Sequence, residues 1–258
     1  MCNIISLEDP DICLVIFYPF REENRELCKE RIRELKDLGV TGVVNYGPVS
    51  IGKFKVLGKG HAAIVSLAAH KSIGVVALKI RRSDSKRDSL ENEAFILKIL
   101  SETGYVPKLF LYSKNFIVRE FVDGLLLKDF LEKYRDNHQM IRDLAENLVR
   151  SAWKIDSFNV DIEEISRPDK QIIIKNNDLL KIYYIDLESA KTNDHPANLN
   201  RIISFLISNK LMRGALNIDE NIINILSSYL RDYRRGDHVI RERILIKIIE
   251  TLFRKRHV

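Results

Sequence analysis

The residues that decide the fold are 75–80, V-V-A-L-K-I, a strongly apolar run that contains one lysine. In a strand, alternate side chains point to opposite faces, so Ala77 and Lys79 share one face and the other face is wholly aliphatic. A lysine on such a strand either faces solvent or, where its face lines a cleft, needs a carboxylate or a phosphate as a partner. The flanking sequence decides between these two interpretations.

The best candidate partner is Glu93, which falls in a helix predicted over residues 89–101. Glu93 shares a stripe with the leucines and the alanine of this helix, which recur at i, i+3, i+4 and i+7 spacing. Glu91 points elsewhere. Because an unpaired carboxylate on an inward stripe is costly, we predict that Lys79 and Glu93 form an ion pair.

A glycine-rich turn precedes the lysine strand. Residues 57–65 read L-G-K-G-H-A-A-I-V and lie between two predicted strands. Gly58 and Gly60 can adopt positive φ angles, and backbone N–H groups there can approach phosphate oxygens closely. Glycines are also common in hairpin turns that bind nothing. Since this turn joins strand to strand, it differs from the strand-to-helix turns of dinucleotide-binding and Walker loops.

The chain divides into three predicted regions. Residues 1–46 form an N-terminal extension with one helix, residues 47–122 a β-rich lobe with one helix, and residues 123–258 a mainly helical lobe with one hairpin. The hairpin pairs residues 171–175 with residues 180–185. The β-like runs of the middle region are Phe54–Leu57, Ile64–Ala68, Val75–Ile80, Leu109–Leu111 and Phe116–Phe121.

Together, Gly-x-Gly-x-x-Ala-x-Val, V-A-L-K and the inward helical glutamate resemble the N-lobe of protein kinases. Over about residues 48–207 the chain is similar to a compact archaeal type of kinase that is related to the RIO and KEOPS-complex atypical kinases. The resemblance implies an α+β, bilobal protein-kinase-like fold with a β-rich N-lobe and a mainly helical C-lobe. It also implies serine/threonine protein kinase activity with ATP and Mg²⁺ as cofactors.

The resemblance also implies where the nucleotide binds. Lys79 would hold the α- and β-phosphates and Glu93 would orient it, whereas Ala63 replaces the usual third glycine of the loop. Arg119 stands at the gatekeeper position beside the adenine-binding backbone. The residues implied to bind the cofactor are Gly58, Gly60, Val65, Ala77, Lys79, Glu93, Glu120 and Val122.

In the C-terminal lobe, Y-Y-I-D-L-E-S at residues 183–189 resembles the metal-binding D-F-G segment. Asp186 would then bind Mg²⁺ together with Asp169, and Glu188 is a further candidate for the metal or its waters. The catalytic loop departs most from the family pattern, because it lacks the usual His and Asn. Alignment on the following strand places Glu164 at the base position, with Asp161 as the competing base.

The resemblance implies Glu164, Lys79 and Asp186 as the catalytic residues, and Lys170 as an alternative contact to the γ-phosphate. A helical run from Ala197 follows Asp186 closely and no A-P-E is present, so we expect no full activation segment. The predicted acceptor is a protein Ser or Thr, on a partner or on the chain itself. Two alternatives stay open: a nucleotide-binding pseudokinase or ATPase switch in an RNA- or ribosome-linked complex, and a small-molecule kinase.

Composition limits the classes of ligand and compartment. The net charge of +6 suits an anionic ligand such as a nucleotide, and the basic C-terminal helix, with an apolar stripe from Ile240, would suit an RNA-associated partner. No apolar run is long enough to span a bilayer, and acidic residues precede the apolar stretch 13–20. We therefore expect a cytoplasmic protein. Cys2, Cys13 and Cys28 lack metal-binding spacing, and we expect them to be reduced and packed.

Overall fold

The computed structural model describes residues 3–176, 178 and 181–254, and it shows an α+β protein with antiparallel sheets. The chain divides into two compact units. The first comprises Met1–Lys98 and Pro107–Val122, and the second comprises Ile99–Val106 and Asp123–Val258. No helix in the described part of the chain is long and apolar enough to cross a membrane.

The first unit is built around one antiparallel sheet. Its elements are, in chain order, β1 (Ile4–Ser6), α1 (Cys13–Ile16), α2 (Arg25–Asp37), β2 (Val40–Val44), β3 (Val49–Ile51), β4 (Phe54–Val56), β5 (Gly58–Lys59), β6 (Ala63–His70), β7 (Gly74–Arg81), α3 (Glu91–Leu100), β8 (Leu109–Tyr112) and β9 (Phe116–Arg119). The sheet has the order β1-β2-β6-β7-β9-β8, with β5 also paired to β6, while β3 and β4 form a separate hairpin. The long strands β6 and β7 lie at its centre.

Strand register assigns the side chains of this sheet to two faces. Lys79 on β7 lies opposite Val65 on β6 and Ile117 on β9, and Ala77 lies opposite Arg119. Directly opposed residues of antiparallel strands share a face, so these five side chains lie on one side. The apolar residues of the other side pack into a core with α1, α2 and the β3–β4 hairpin.

Residues 3–46 are therefore part of the first unit. β1 and β2 extend the sheet, and neither strand was predicted from the sequence. Arg31 of α2 is buried and donates hydrogen bonds to the carbonyl oxygens of Ile16 (3.2 Å) and Arg81 (2.6 Å). Its guanidinium lies over the Phe17 ring, and burial lowers the pKa of Arg31 to about 10. This one side chain connects α1, α2 and β7.

The expectation of reduced cysteines is wrong for two of the three. Cys13 on α1 and Cys28 on α2 form a disulfide, and both residues are buried. Their spacing carries no motif, and only the packing of α1 against α2 brings the two sulfur atoms together. Cys2 lies outside the described residues.

The second unit is mainly helical. Its elements are β10 (Gly124–Leu126), α4 (Leu127–Lys133), α5 (His138–Asp156), β11 (Val160–Ile162), β12 (Ile172–Lys175), β13 (Ile182–Tyr184), β14 (Ala190–Thr192), α6 (Asn198–Ser208), α7 (Lys210–Ala215), α8 (Glu220–Arg235) and α9 (His238–Phe253). Helices α5, α8 and α9 each begin at a side-chain cap, supplied by Asn137, Asp219 and Asp237. Such caps satisfy N–H groups that the helix itself leaves unpaired.

The predicted single hairpin is only part of the strand content of this unit. Strands β12 and β13 pair as predicted, but β10 adds a third strand, and β11 pairs with β14. Leu180, the predicted start of β13, lies outside the described residues. On α9, Ile240 is 43% exposed, so its placement on the buried stripe is wrong. Arg241 is buried there instead and donates to the carbonyl oxygens of Tyr233 and Gly236.

We expect loss of the Cys13–Cys28 disulfide to lower the free energy of unfolding, because the bond closes a 15-residue separation that the unfolded chain would otherwise leave open. A loop of that length corresponds to about 3 kcal/mol. Urea unfolding with and without reductant measures the difference, and a Cys13→Ser/Cys28→Ser double variant, which reductant should not affect, is the control. Alkylation of both cysteines in the denatured, unreduced protein would contradict the disulfide.

Candidate functional site

The predicted ion pair is present in the first unit. The Nζ atom of Lys79 on β7 lies 2.6 Å from Oε2 of Glu93 on α3, and the two side chains are only 5% and 2% exposed. Removing two charges from water costs several kcal/mol per ion, which their attraction seldom repays fully. A buried pair of this kind adds little stability, so its chemistry is the feature that calls for an explanation.

The glycine-rich turn lies beside this pair in the sheet. β5 pairs with β6 so that Gly58 lies opposite Val65, which in turn lies opposite Lys79. The turn is closed by a hydrogen bond from the Gly60 N–H to the Ala63 carbonyl oxygen (2.8 Å). Arg82 supports it by donating to the Gly60 carbonyl oxygen (2.9 Å).

Gly58 and Gly60 do not use the positive φ angles that are open to glycine. The hairpin pairing holds both in ordinary backbone geometry. A Cβ atom at Gly58 would meet nothing within 4 Å, so this glycine leaves open space beside the strand. Open space next to backbone N–H groups still permits the approach of a phosphate.

The predicted adenine-binding segment follows β9. Arg119, the last residue of β9, is 4% exposed and lies on the same sheet face as Lys79. The Glu120 N–H donates to the Lys108 carbonyl oxygen (2.8 Å), and the Glu120 carboxylate accepts from the Lys108 N–H (3.2 Å). Val122 is buried. The N–H of Glu120 is thus used within the sheet, and adenine binding at Glu120 and Val122 stays a prediction.

In the second unit, Asp186 lies two residues after the end of β13 and is half-buried. Its Oδ1 atom accepts a hydrogen bond from the Glu188 N–H (3.3 Å), which forms a turn around the aspartate side chain. The Asp186 carboxylate therefore has a local structural role in this turn. Glu188 is also half-buried.

The two candidate bases lie in different environments. Glu164 is exposed, in a 3₁₀-helix over Glu163–Ser166, and its carboxylate accepts from Nε2 of Gln171 (3.1 Å). Asp161 on β11 is buried, and it accepts from both Nη atoms of Arg201 and from the Ala197 N–H.

Burial alone would raise the pKa of Asp161, but the hydrogen bond from Arg201 and the Ala197 N–H bring that pKa below its usual value. A carboxylate held in this way is a poor proton acceptor. This environment favours Glu164 over Asp161 as the base.

A buried network beneath this loop was not predicted. The carboxylate of Asp156, at the end of α5, accepts from the N–H groups of Asn198 (3.0 Å) and Leu199 (3.1 Å), from the Asn198 amide (2.7 Å) and from the Tyr233 hydroxyl (2.8 Å). Asn198 also accepts from the Ile162 N–H (2.9 Å) and donates to the Val160 carbonyl oxygen (2.7 Å). Asp156 therefore connects α5, α6 and α8, and Asn198 connects them to β11.

The predicted metal ligands are carboxylates, which suit Mg²⁺ in chemistry. Asp169 is half-buried, in a 3₁₀-helix over Pro168–Lys170, and Lys170 is exposed. No group of three or more His, Cys, Asp or Glu side chains able to hold a metal occurs in the described part of the chain. Since Mg²⁺ commonly binds one or two carboxylates together with substrate phosphates, Asp186 and Asp169 fit it as a partial ligand set.

Loss of one partner of the Lys79–Glu93 pair should be costly. Lys79→Met or Glu93→Leu alone leaves a buried charge without its partner, and we expect each to lower the free energy of unfolding by about 3–5 kcal/mol. The double variant should lose much less than the sum. Urea unfolding of all four proteins measures the coupling. Glu91→Leu, on the exposed side of α3, is the control and should cost less than about 1 kcal/mol. Additive losses would contradict a coupled pair.

The stability of the folded protein should depend on pH because of Asp156. Burial raises the pKa of Asp156 to about 6 from a model-peptide value of 3.8, although four donors oppose this shift. The folded state then holds a proton that the unfolded state releases, so stability should fall as the pH rises from about 4 to about 6 and then stay level.

Urea unfolding at several pH values tests this, with Asp156→Asn expected to lose the slope between pH 4 and 6. Asp143→Asn, at an exposed position of the same helix, should keep the wild-type slope. Parallel curves for wild type and Asp156→Asn would show that Asp156 does not carry the proton.

The sequence matches no protein-family model and no curated protein. A functional assignment for this chain therefore depends on the chemistry of the residues described above. Such an assignment has to explain three features: the Lys79–Glu93 pair, the glycine turn beside it and the carboxylates of the second unit.

Proposed function

We propose that the chain is an ATP- and Mg²⁺-dependent phosphotransferase with a bilobal protein-kinase-like fold, of the atypical RIO/KEOPS-like type. The observation that carries the proposal is the buried Lys79–Glu93 ion pair. An ion pair that is costly to bury and adjoins a glycine turn suits a site that must neutralise phosphate charge. Each compact unit supplies the parts that the resemblance assigns to one lobe.

In the first unit, Lys79 binds the α- and β-phosphates of ATP, and Glu93 fixes the direction of the ammonium group. The open space at Gly58 lets the β5–β6 turn approach the phosphates. Val65 and Ala77 lie on the same sheet face as Lys79 and provide the apolar surface for the base.

In the second unit, Glu164 accepts the proton of the acceptor hydroxyl as that oxygen forms a bond to the γ-phosphorus and ADP leaves. Asp186 and Asp169 would hold Mg²⁺, which neutralises developing charge on the phosphates. Asp161 is a positioning residue, because Arg201 and α6 already hold its carboxylate. The proposed acceptor is a protein serine or threonine.

The disulfide bears on the proposed cytoplasmic location. Such bonds are rare in the cytosol of most cells and common in that of hyperthermophilic archaea. A cytoplasmic phosphotransferase with the Cys13–Cys28 bond is therefore proposed for a cell of that kind, in line with the archaeal character of the resemblance.

Transfer from γ-labelled ATP tests the proposal. We expect the wild type to label protein in the presence of Mg²⁺ and Asp186→Asn to abolish the transfer. Glu164→Gln should lower the rate by about a hundredfold or more, since it removes the proton acceptor. Glu163→Gln is the matched control: it is the exposed neighbour of Glu164, forms an ion pair with Lys191 and should leave the rate unchanged.

The outcomes separate the parts of the proposal. A Glu164→Gln rate equal to that of the wild type would exclude Glu164 as the base. Nucleotide binding without turnover in the wild type would replace the phosphotransferase with a nucleotide-binding switch. Failure of the wild type to bind ATP, measured by calorimetry, would overturn the whole proposal.

A further inference from the structure

A cavity of about 590 Å³ lies in the second unit, between α6 and α8. Its walls carry three arginines, Arg201, Arg231 and Arg234, together with four serine hydroxyls. Phe205 and Leu230 supply the apolar part of the lining. Among the described residues that line the cavity none carries a carboxylate. The volume is in the range of sites that bind small molecules.

The charge of this cavity is positive. Arg201 contacts Asp161 through its two Nη atoms, which leaves further N–H donors of the five that a guanidinium carries. Arg231 and Arg234 are exposed and lie at i and i+3 on α8, and neither forms an ion pair with any residue that the structure describes. With Asp161 offsetting Arg201, these two guanidinium groups leave an uncompensated charge at the cavity.

The wall of the cavity also contains a polar group with unmet hydrogen-bonding capacity. Asn200 is 8% exposed, and its amide nitrogen donates to the Leu230 carbonyl oxygen (3.2 Å). Its Oδ1 atom is buried and has no hydrogen-bond partner among the described residues. A buried acceptor without a donor is destabilising. The hydroxyl groups that a ligand in the cavity can reach are those of the serines, such as the exposed Ser204 and the half-buried Ser227.

We propose that this cavity binds a small phosphate ester that also carries hydroxyl groups. Arg231 and Arg234 bind the phosphate, because paired guanidinium groups give short, charge-assisted hydrogen bonds to phosphate oxygens. The serine hydroxyls, among them Ser204 and Ser227, bind the hydroxyl groups of the ligand. The site consists of residues of the second unit alone, so this proposal does not rest on the proposed phosphotransferase activity.

The shape and lining favour a small ester over a nucleic acid. Sequence-tolerant binding of single strands uses aromatic rings on which bases stack. Phe205 is the one aromatic side chain among the described lining residues, and it is 7% exposed. A compact ligand that enters the cavity fits the positions of the arginines and the serines better than an extended polyanion does.

Calorimetric titration with glycerol 3-phosphate, inorganic phosphate and a short single-stranded RNA tests the proposal. We expect glycerol 3-phosphate to bind more tightly than inorganic phosphate, since only the ester offers hydroxyl groups. The Arg231→Ala/Arg234→Ala variant should weaken the ester about tenfold or more. Ser227→Ala should weaken the ester but not inorganic phosphate.

Arg235→Ala is the matched control, because Arg235 is exposed on the same helix but does not line the cavity. It should leave the affinity for glycerol 3-phosphate unchanged, and thermal unfolding checks that every variant is folded. Equal losses from Arg235→Ala and from the cavity variant would show that only general surface charge is involved and would overturn the proposal. Binding of RNA alone, or failure of the wild type to bind glycerol 3-phosphate, would also overturn the proposal.

Discussion

The second unit depends on a single buried carboxylate, that of Asp156. Four donors from α6 and α8 converge on it, and three of them come from the first two residues of α6. A helix N-terminus offers unsatisfied N–H groups and a positive end, so a carboxylate is the side chain best suited to hold it. Asn198 in turn connects α6 to β11, because its side-chain oxygen accepts a hydrogen bond from the Ile162 N–H. The backbone that leads to Glu164 is thus fixed by a residue that never reaches the surface.

The first unit differs from the second, because both faces of its sheet are buried around β7. One face is covered by α1, α2 and the β3–β4 hairpin through a mainly apolar contact, in which Arg31 is buried and donates to backbone carbonyl oxygens. The other face contains the buried Lys79–Glu93 pair, and Arg119 is buried on the same face. Both units therefore bury charged side chains, Asp156 in the second and Lys79 with Glu93 in the first.

Much of the local structure was predictable from periodicity. The central strands and α3 appear where alternating or helical spacing indicated them. Features that depend on packing between distant residues were not predictable from periodicity. Asp156 and Asn198 are 42 positions apart, and Cys13 meets Cys28 only through the docking of α1 on α2. β2 was not predictable from alternation, because Thr41 and Gly42 interrupt its valines. The ion pair was predictable because each partner alone would be misplaced on an apolar stripe.

Arg201 links the loop of the candidate base to the cavity between α6 and α8. Its Nη atoms hold Asp161 on β11, two residues before the 3₁₀-helix that carries Glu164, and the same side chain lines the cavity. Asp161 is also held by the Ala197 N–H, so its carboxylate accepts from both the start of α6 and the Arg201 side chain. One side chain on α6 therefore connects the backbone that leads to Glu164 with the wall of the cavity.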